Sequence, residues 1–328
     1  MKGILCCALL VACGGNGGGG GGDDVPDPDA TNPGPDAAVI PEGFTRLVGR
    51  TWSLPTPTGG ASDQYRCVRF TPTEDIYVTA IQAQAPVGTH HTVLSFSGSN
   101  GTSGADGNDD GCNFTEIGMD MLYASGTNEG LLEFPTDVGL KLPAGQQLHL
   151  NLHLFNATDE PISGDTAILV KSQPTPPPQL AEMVFAGRFN VSIPVTTVAK
   201  PETTLTGGCT SDKAYTLFAV WPHQHQLGTH QKVSIDRNLG TAEVPNIQTT
   251  VLHDGPYNFQ EQNYYLQSPV FDVQVGDRIK VDCTWKNTTG STVTFGESST
   301  QEMCFSGLYR FPAQNDGRFH CTDFPQGG

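Results

Sequence analysis

The sequence is poor in charge and poorer still in positive charge. Charged residues make up 16% of 328, with 17 Lys or Arg against 34 Asp or Glu, for a net charge of −17. Asp23, Asp24, Asp27, Asp29, Asp36 and Glu42 supply six negative charges, and Lys2 one positive, before any globular segment begins. The folded part therefore carries about −12. Binding to nucleic acid needs clustered cations that neutralise phosphate, so nucleic acid is excluded as a partner and anionic membrane surfaces are disfavoured. No stretch has the periodicity of a stable amphipathic helix, and beyond the apolar run Ile4 to Ala12 no segment is long enough to span a bilayer. Histidine is scarce as well, at nine residues.

Glycine and proline are plentiful, at 39 and 24, and Val, Thr, Phe and Leu recur in short runs, which predicts many strands and turns. Lys2, the apolar run and Cys13 read as an export signal over residues 1–12. Leu10-Val11-Ala12-Cys13 matches the bacterial lipobox, whose cysteine carries lipid. Residues 13–42 are rich in Gly, Asp and Pro, cannot bury enough apolar surface to fold, and are expected to act as a tether. The expectation is an exported, membrane-anchored bacterial lipoprotein, in the outer membrane and periplasm or at the cell surface, that meets the membrane through its lipid alone. Gly14 rather than Asp after Cys13 favours the outer membrane. With Cys6 and Cys7 removed and Cys13 lipidated, six cysteines remain, an even number that implies three disulfides of open connectivity. No two of the six have the two-to-four-residue spacing usual for thiolate zinc sites.

Strand-like runs fall at Gln64–Phe70, Asp75–Ala83, Thr92–Phe96, Gln146–Phe155 and Thr166–Lys171. The proline-rich Pro174 to Pro178 cannot sit in a central strand and marks a boundary. Further runs follow at Met183–Val191, Ala214–Trp221, Lys232–Asp236, Tyr264–Val273, Arg278–Trp285 and Gly307–Phe311. The predicted fold class is all-β: two tandem antiparallel β-sandwich, jelly-roll-like domains over residues 43–176 and 177–328.

Six of the nine histidines fall in three pairs. His223 and His225 alternate on one strand face, roughly 6 to 7 Å apart, so both imidazoles can converge on one ion; two solvated surface histidines are the plain alternative. His90 and His91 are adjacent and would point to opposite faces of a regular strand. Either the backbone is irregular there, as Pro86-Val87-Gly88 allows, or only one of them is a ligand. His149 and His153 share a face but lie about 13 Å apart at strand rise, so at most one belongs to a given site. Met303, in Glu302-Met303-Cys304, reads on its own as core packing.

The order of these motifs resembles the type II copper, ascorbate-dependent monooxygenases, namely peptidylglycine α-hydroxylating monooxygenase and dopamine β-monooxygenase. Thr89-His90-His91 and Leu150-Asn151-Leu152-His153 resemble the first-half motifs, with Phe134-Pro135 through Gly139-Leu140 before the second of them. Phe218-Ala219, His223-Gln224-His225, Leu227-Gly228, Phe259-Gln260-Glu261, Val275-Gly276-Asp277, Cys283-Thr284 and Glu302-Met303-Cys304 follow in the family's order, so the resemblance runs from about Tyr65 to Cys321. It implies two coppers per chain. His90, His91 and His153 would hold the copper that delivers electrons, and His223, His225 and Met303 the catalytic one that activates oxygen. It also implies disulfides joining Cys67 to Cys112, Cys209 to Cys321 and Cys283 to Cys304. The family reaction inserts one atom of O2 into a C–H bond with electrons taken singly from ascorbate or another one-electron donor, the two coppers facing each other across a solvent-filled cleft. Imidazoles with a thioether suit copper better than zinc.

The sequence departs from the family at the substrate. Trp221, Phe305 and Gly307 stand where the peptide-amidating enzyme has its Arg, Asn and Tyr carboxylate clamp. The expected substrate is a small or apolar molecule, with Trp221 and Phe305 as an apolar wall. Two other readings remain: a copper-binding or carrier lipoprotein without turnover, and a zinc hydrolase on His223, His225 and His230. His253 and His320 sit in turn-like sequence and are expected to be solvated, Met119 and Met121 to be packing residues, and Tyr65 and Tyr123 to flank the cleft. Oligomeric state is not encoded in any of these motifs.

Overall fold

The structure is a computed structural model that describes residues 40–58, 62–98, 103–112, 120–127, 130–296 and 298–323. The export signal, Cys13, the tether up to residue 39 and Met119 lie outside the described residues. Among the described residues there is no helix. In chain order the first strands are β1 (Thr45–Leu54), β2 (Ser62–Phe70), β3 (Ile76–Gln84), β4 (Thr89–Phe96), β5 (Gly107–Asp109), β6 (Met121–Ser125), β7 (Leu132–Glu133), β8 (Val138–Leu142), β9 (Leu148–Asn156) and β10 (Ile162–Gln173). After the proline-rich segment come β11 (Gln179–Arg188), β12 (Ser192–Ile193), β13 (Thr203–Gly207), β14 (Tyr215–His223), β15 (Gly228–Asn238), β16 (Ile247–Pro256), β17 (Tyr265–Val273), β18 (Arg278–Trp285), β19 (Val293–Thr294), β20 (Cys304–Phe311) and β21 (Cys321–Thr322).

Three sheets build two β-sandwiches. A large sheet runs β1-β10-β3-β8-β11-β20-β14-β17, a five-stranded sheet runs β5-β2-β9-β4-β6, and a four-stranded sheet runs β13-β18-β15-β16. The large sheet passes from the first half of the chain to the second through parallel pairing of β8 with β11, Gly139 opposite Leu180. Strand β9 shows why the five-stranded sheet packs as it does. Leu148, Leu150, Leu152 and Leu154 are all fully buried in one core with Val78, Ile81, Ile168 and Val170, while the alternate residues take the other face.

Strands β11, β14 and β20 read as nearly continuous apolar runs because both of their faces are covered. In β11, Met183 and Phe185 enter the first core, whereas Val184 and Ala186 enter the second, beside Val233, Ile235, Ile279, Val281 and Trp285. In β20, Phe305 and Tyr309 face one core, and Cys304 and Leu308 the other. The three disulfides are Cys67–Cys112, Cys209–Cys321 and Cys283–Cys304. These are the pairs that the resemblance implies.

Several strands carry no alternation that could announce them. Strand β16 is an exposed edge of the four-stranded sheet, and β1 is interrupted by a bulge between Arg46 and Val48. His253, expected to be solvated, instead lies on β16, buried, with its ring 4.0 Å from that of Tyr265. His320 is in a turn and meets Asp212 at 3.1 Å.

One ion-pair cluster ties the large sheet internally. Arg310 on β20 is 2% exposed and meets its register partner Glu182 on β11 at 2.8 Å, with Asp316 as its second carboxylate partner. Truncation of a buried ion that bridges two countercharges leaves them unpaired, at a cost of about 3–5 kcal/mol. Arg310→Ala is expected to lower the unfolding free energy by that amount, read from the denaturant midpoint at constant m-value.

Candidate metal centre

The first histidine set is built by a register fault. Strands β4 and β9 are antiparallel neighbours with His91 opposite His153, and their register shifts between Thr89 and His91. The bulge follows a turn in which Thr89 N–H donates to the Pro86 carbonyl and Gly88 holds a φ of 100°. It releases His90 from strict alternation, so adjacent histidines present their rings on one side. His91 Nδ1 lies 3.2 Å from His90 Nδ1 and 3.3 Å from His153 Nδ1. Among the described residues this is the group of three whose ligand atoms all lie within 4.8 Å of one another. Burial, reinforced by the charge that His153 would carry, holds the His91 pKa well below the ordinary imidazole value. Three converging ring nitrogens, with a neutral imidazole at the centre, fit a cation better than they fit one another. Tyr65, opposite His153 on β2, stacks flat on its ring at 4.6 Å.

His149 takes no part. It sits four residues back along β9, between Arg69 and Ser95, fully buried, with neither ring nitrogen hydrogen-bonded. Burial, helped by Arg69, lowers its pKa to about 4.

The second set sits where β14 ends and the chain turns into β15. His223 is the last residue of β14, opposite Phe305, and Met303 immediately precedes β20. The His223 and His225 rings are 5.3 Å apart and nearly perpendicular. His223 Nδ1 faces the Gln262 side-chain oxygen at 2.9 Å, and His225 Nδ1 faces the Gln301 carbonyl at 3.0 Å. Oxygen acceptors on both Nδ1 atoms make those nitrogens the N–H donors and leave each Nε2 with its lone pair. Burial, followed by the neighbouring His225, pushes the His223 pKa to about 3, and burial lowers that of His225 as well. Both rings are therefore neutral at pH 7.

Glu302 fixes this turn. Its fully buried carboxylate accepts the backbone N–H of His225 at 2.9 Å, that of Leu227 at 2.7 Å and the indole N–H of Trp285 at 2.9 Å. Burial raises its pKa to about 7 against the opposing pull of these donors. His230 does not join the set: it pairs instead with Asp254 on β16 at 3.1 Å. The three-histidine zinc reading loses its third ligand on that account.

His91, His223, His225 and Met303 line one cavity of about 320 Å³, together with Trp221 and Phe305. Met121 lines it too, rather than serving in packing alone. His90 and His153 line a more open, polar cleft of about 890 Å³ with Asn258 and Gln260. Phe259 borders both, its ring 5.3 Å from that of His90 and 6.1 Å from that of His225. The turn that carries it docks on the first half of the chain, where the Gln260 carbonyl accepts from Thr127 N–H at 2.8 Å. Gly126 lies so close that a Cβ there would sit 2.0 Å from that carbonyl. Tyr264 Oη donates to the Ala124 carbonyl at 2.6 Å, a second tie, and stacks on Tyr123 at 5.5 Å.

Sequence reasoning did not find Gln262, the Gln301 carbonyl or the job of Glu302. Gln262 and Gln301 carry no spacing signal. Glu302 lies within a motif that was noted for its methionine.

Two sets of soft-to-borderline donors thus make two candidate metal centres. Residues 182–322 match the copper type II ascorbate-dependent monooxygenase C-terminal domain, a copper- and ascorbate-dependent family. Among solved structures, the tandem carbohydrate-binding domains (CBM22-1-CBM22-2) of Paenibacillus barcinonensis Xyn10C align at 13% identity over 84% of this chain and 99% of theirs, with a TM-score of 0.22. A structure of infectious bursal disease virus aligns at 9% identity over 86% and 76%, with a TM-score of 0.22. The spike protein P1 of bacteriophage PM2 aligns at 9% identity over 82% and 98%, with a TM-score of 0.14. At these scores the three likenesses carry no functional argument.

His149 makes a measurable difference to acid stability. An imidazole of pKa about 4 in the fold and an ordinary value when unfolded leaves the unfolded chain binding the extra proton between those limits, so stability falls as pH drops from about 6.5 to 4. The drop attributable to it is about 3 kcal/mol. Chemical denaturation across that range is expected to show this loss in the native sequence and to lack it in His149→Leu.

Proposed function

We propose that the protein is a copper-dependent monooxygenase that hydroxylates a C–H bond of a small or apolar substrate with O2 and a one-electron donor such as ascorbate. The observation that carries this reading is the pairing of an all-imidazole set with a His-His-Met set around one largely apolar cavity, in a chain whose residues 182–322 match the family's C-terminal domain. His90, His91 and His153 would hold the copper that passes electrons, and His223, His225 and Met303 the copper that meets oxygen. Bound there, copper supplies one-electron redox chemistry and activation of O2, for which imidazole and thioether donors are suited.

The protein's own part is positional. Gln262 and the Gln301 carbonyl fix the ring tautomers of His223 and His225. Glu302, the residue preceding Met303, holds the turn from His225 to Leu227 through their backbone N–H groups. The Cys283–Cys304 bridge anchors the residue that follows it. The aromatic wall of Trp221 and Phe305 keeps the space beside these ligands dry. We further propose that residues 43–176 and 177–328 form the two copper-binding halves. Residues 1–12 would be the export signal, Cys13 the lipid anchor, and residues 13–42 the tether of an exported, membrane-anchored protein.

Metal counting with oxygen uptake tests the reading. The loaded protein is expected to hold two coppers per chain and to consume O2 in the presence of ascorbate and substrate. His153→Ala should fall to one copper, while His149→Ala keeps two, its fold checked by circular dichroism. Two coppers without turnover on a broad substrate panel would make the chain a copper carrier. Retention of zinc that Met303→Ile leaves untouched would sink the copper assignment.

A further inference from the structure

The cavity beside His223, His225 and Met303 has an unusual lining. Phe185, Phe189, Phe295, Phe305 and Phe319 form one connected cluster in its wall, with ring centroids 5.7 Å apart for Phe185–Phe305, 4.9 Å for Phe189–Phe305 and 5.1 Å for both Phe185–Phe319 and Phe189–Phe295. These rings come from β11, the segment just after it, the approach to β20, β20 itself and the turn before β21. The sequence brings them to one place from four separate stretches. On the side of the second histidine set, the Trp221 indole stacks on the His223 ring at 5.0 Å and 15°, giving a flat wall next to the ligands. Phe259 completes the enclosure toward the polar cleft.

No Asp, Glu, Lys or Arg is among the described residues that line this cavity. Its other polar side chains are engaged within the protein. The Thr92 and Ser125 hydroxyls bond to each other at 2.9 Å. Gln262 spans the His223 ring and the Phe259 carbonyl, the Trp221 N–H is given to the Gln262 carbonyl at 3.0 Å, and Ser299 receives Gln226. A ligand with a full charge would leave water and find no countercharge among these side chains, a loss of several kcal/mol for an ion in an apolar site. A ring, in contrast, can enter the offset and edge-to-face spacings that the phenylalanines already keep among themselves.

We propose that the cavity is the site for a neutral aromatic molecule, of one or two fused rings, which its roughly 320 Å³ can hold. This deepens the monooxygenase reading and rests on it for what happens to the molecule once bound. The carboxylate of a glycine-extended peptide and the ammonium of an aryl amine are both excluded. A purely aliphatic molecule of the same size fills the volume but forgoes the ring geometry, and binds more weakly.

Calorimetric binding to the full chain tests this, with four matched probes: naphthalene-2-methanol, naphthalene-2-acetate, naphthalene-2-methylammonium and decahydronaphthalene-2-methanol. Naphthalene-2-methanol is expected to bind at least tenfold tighter than either charged probe and several-fold tighter than its saturated counterpart. Phe319→Ala should weaken it about tenfold with the copper count unchanged. Phe189→Leu, a milder change that keeps the core filled, should weaken it about threefold. Equal or tighter binding of a charged probe, no advantage of the aromatic over the saturated ring, or no binding of any probe overturns the proposal. The series is run on copper-loaded and on metal-free protein, so it reads occupancy rather than turnover. A chain that takes up no copper yet ranks the probes as expected would sink the oxygenase reading while leaving the cavity's selectivity in place.

Discussion

The buried carboxylate of Glu302 is the constraint on which the second candidate metal centre depends. Three N–H groups converge on it, from His225, Leu227 and Trp285, and these belong to a turn and to a strand of the four-stranded sheet. The turn would otherwise expose unsatisfied backbone donors to a dry interior, at about 1–3 kcal/mol each. With the carboxylate in place, His225 and Met303 are fixed relative to one another through a single residue step, from Glu302 to its neighbour. The disulfide from Cys304 to Cys283 then secures the other side of Met303. A thioether would be a weak ligand, and the position of this one is held by groups outside the proposed donor set.

The two histidine sets reach their geometry by opposite routes. In the first, a departure from regular strand pairing at β4 gathers neighbouring residues that alternation would separate. In the second, the rings stand at the end of a regular strand and in the turn beyond it, and their orientation comes from hydrogen bonds to Gln262 and Gln301. One set turns its Nδ1 atoms toward one another, whereas the other has its Nδ1 atoms occupied by protein oxygens. That difference in the free nitrogen follows from the strand bulge in one set and from the Gln262 and Gln301 acceptors in the other.

Much of this could be read along the chain. The Leu148–Leu154 alternation announced β9 and its leucine face, and the run Arg278–Trp285 coincides with β18. The even count of six cysteines matched three bridges. Sequence spacing left His149 and His153 equivalent, because strand rise says that only one can serve and not which. The choice is made by β4, whose His91 lies opposite His153. Likewise, β16 is an exposed edge with polar residues on both faces, so nothing in its composition separated it from a turn, and His253 was misplaced with it. The phenylalanine cluster is assembled only by folding. Its five members come from four stretches of the chain, and each taken alone is an ordinary core residue.

The wall between the two cavities consists largely of the first histidine set and Phe259. His91 faces the aromatic chamber, while His90 and His153 face the polar cleft. For the proposed reaction, which joins an oily molecule to electrons carried in water, such a wall would act as the boundary of a two-phase vessel. The reductant would have no need to dissolve in the chamber, nor the substrate to leave it. Only charge would have to cross.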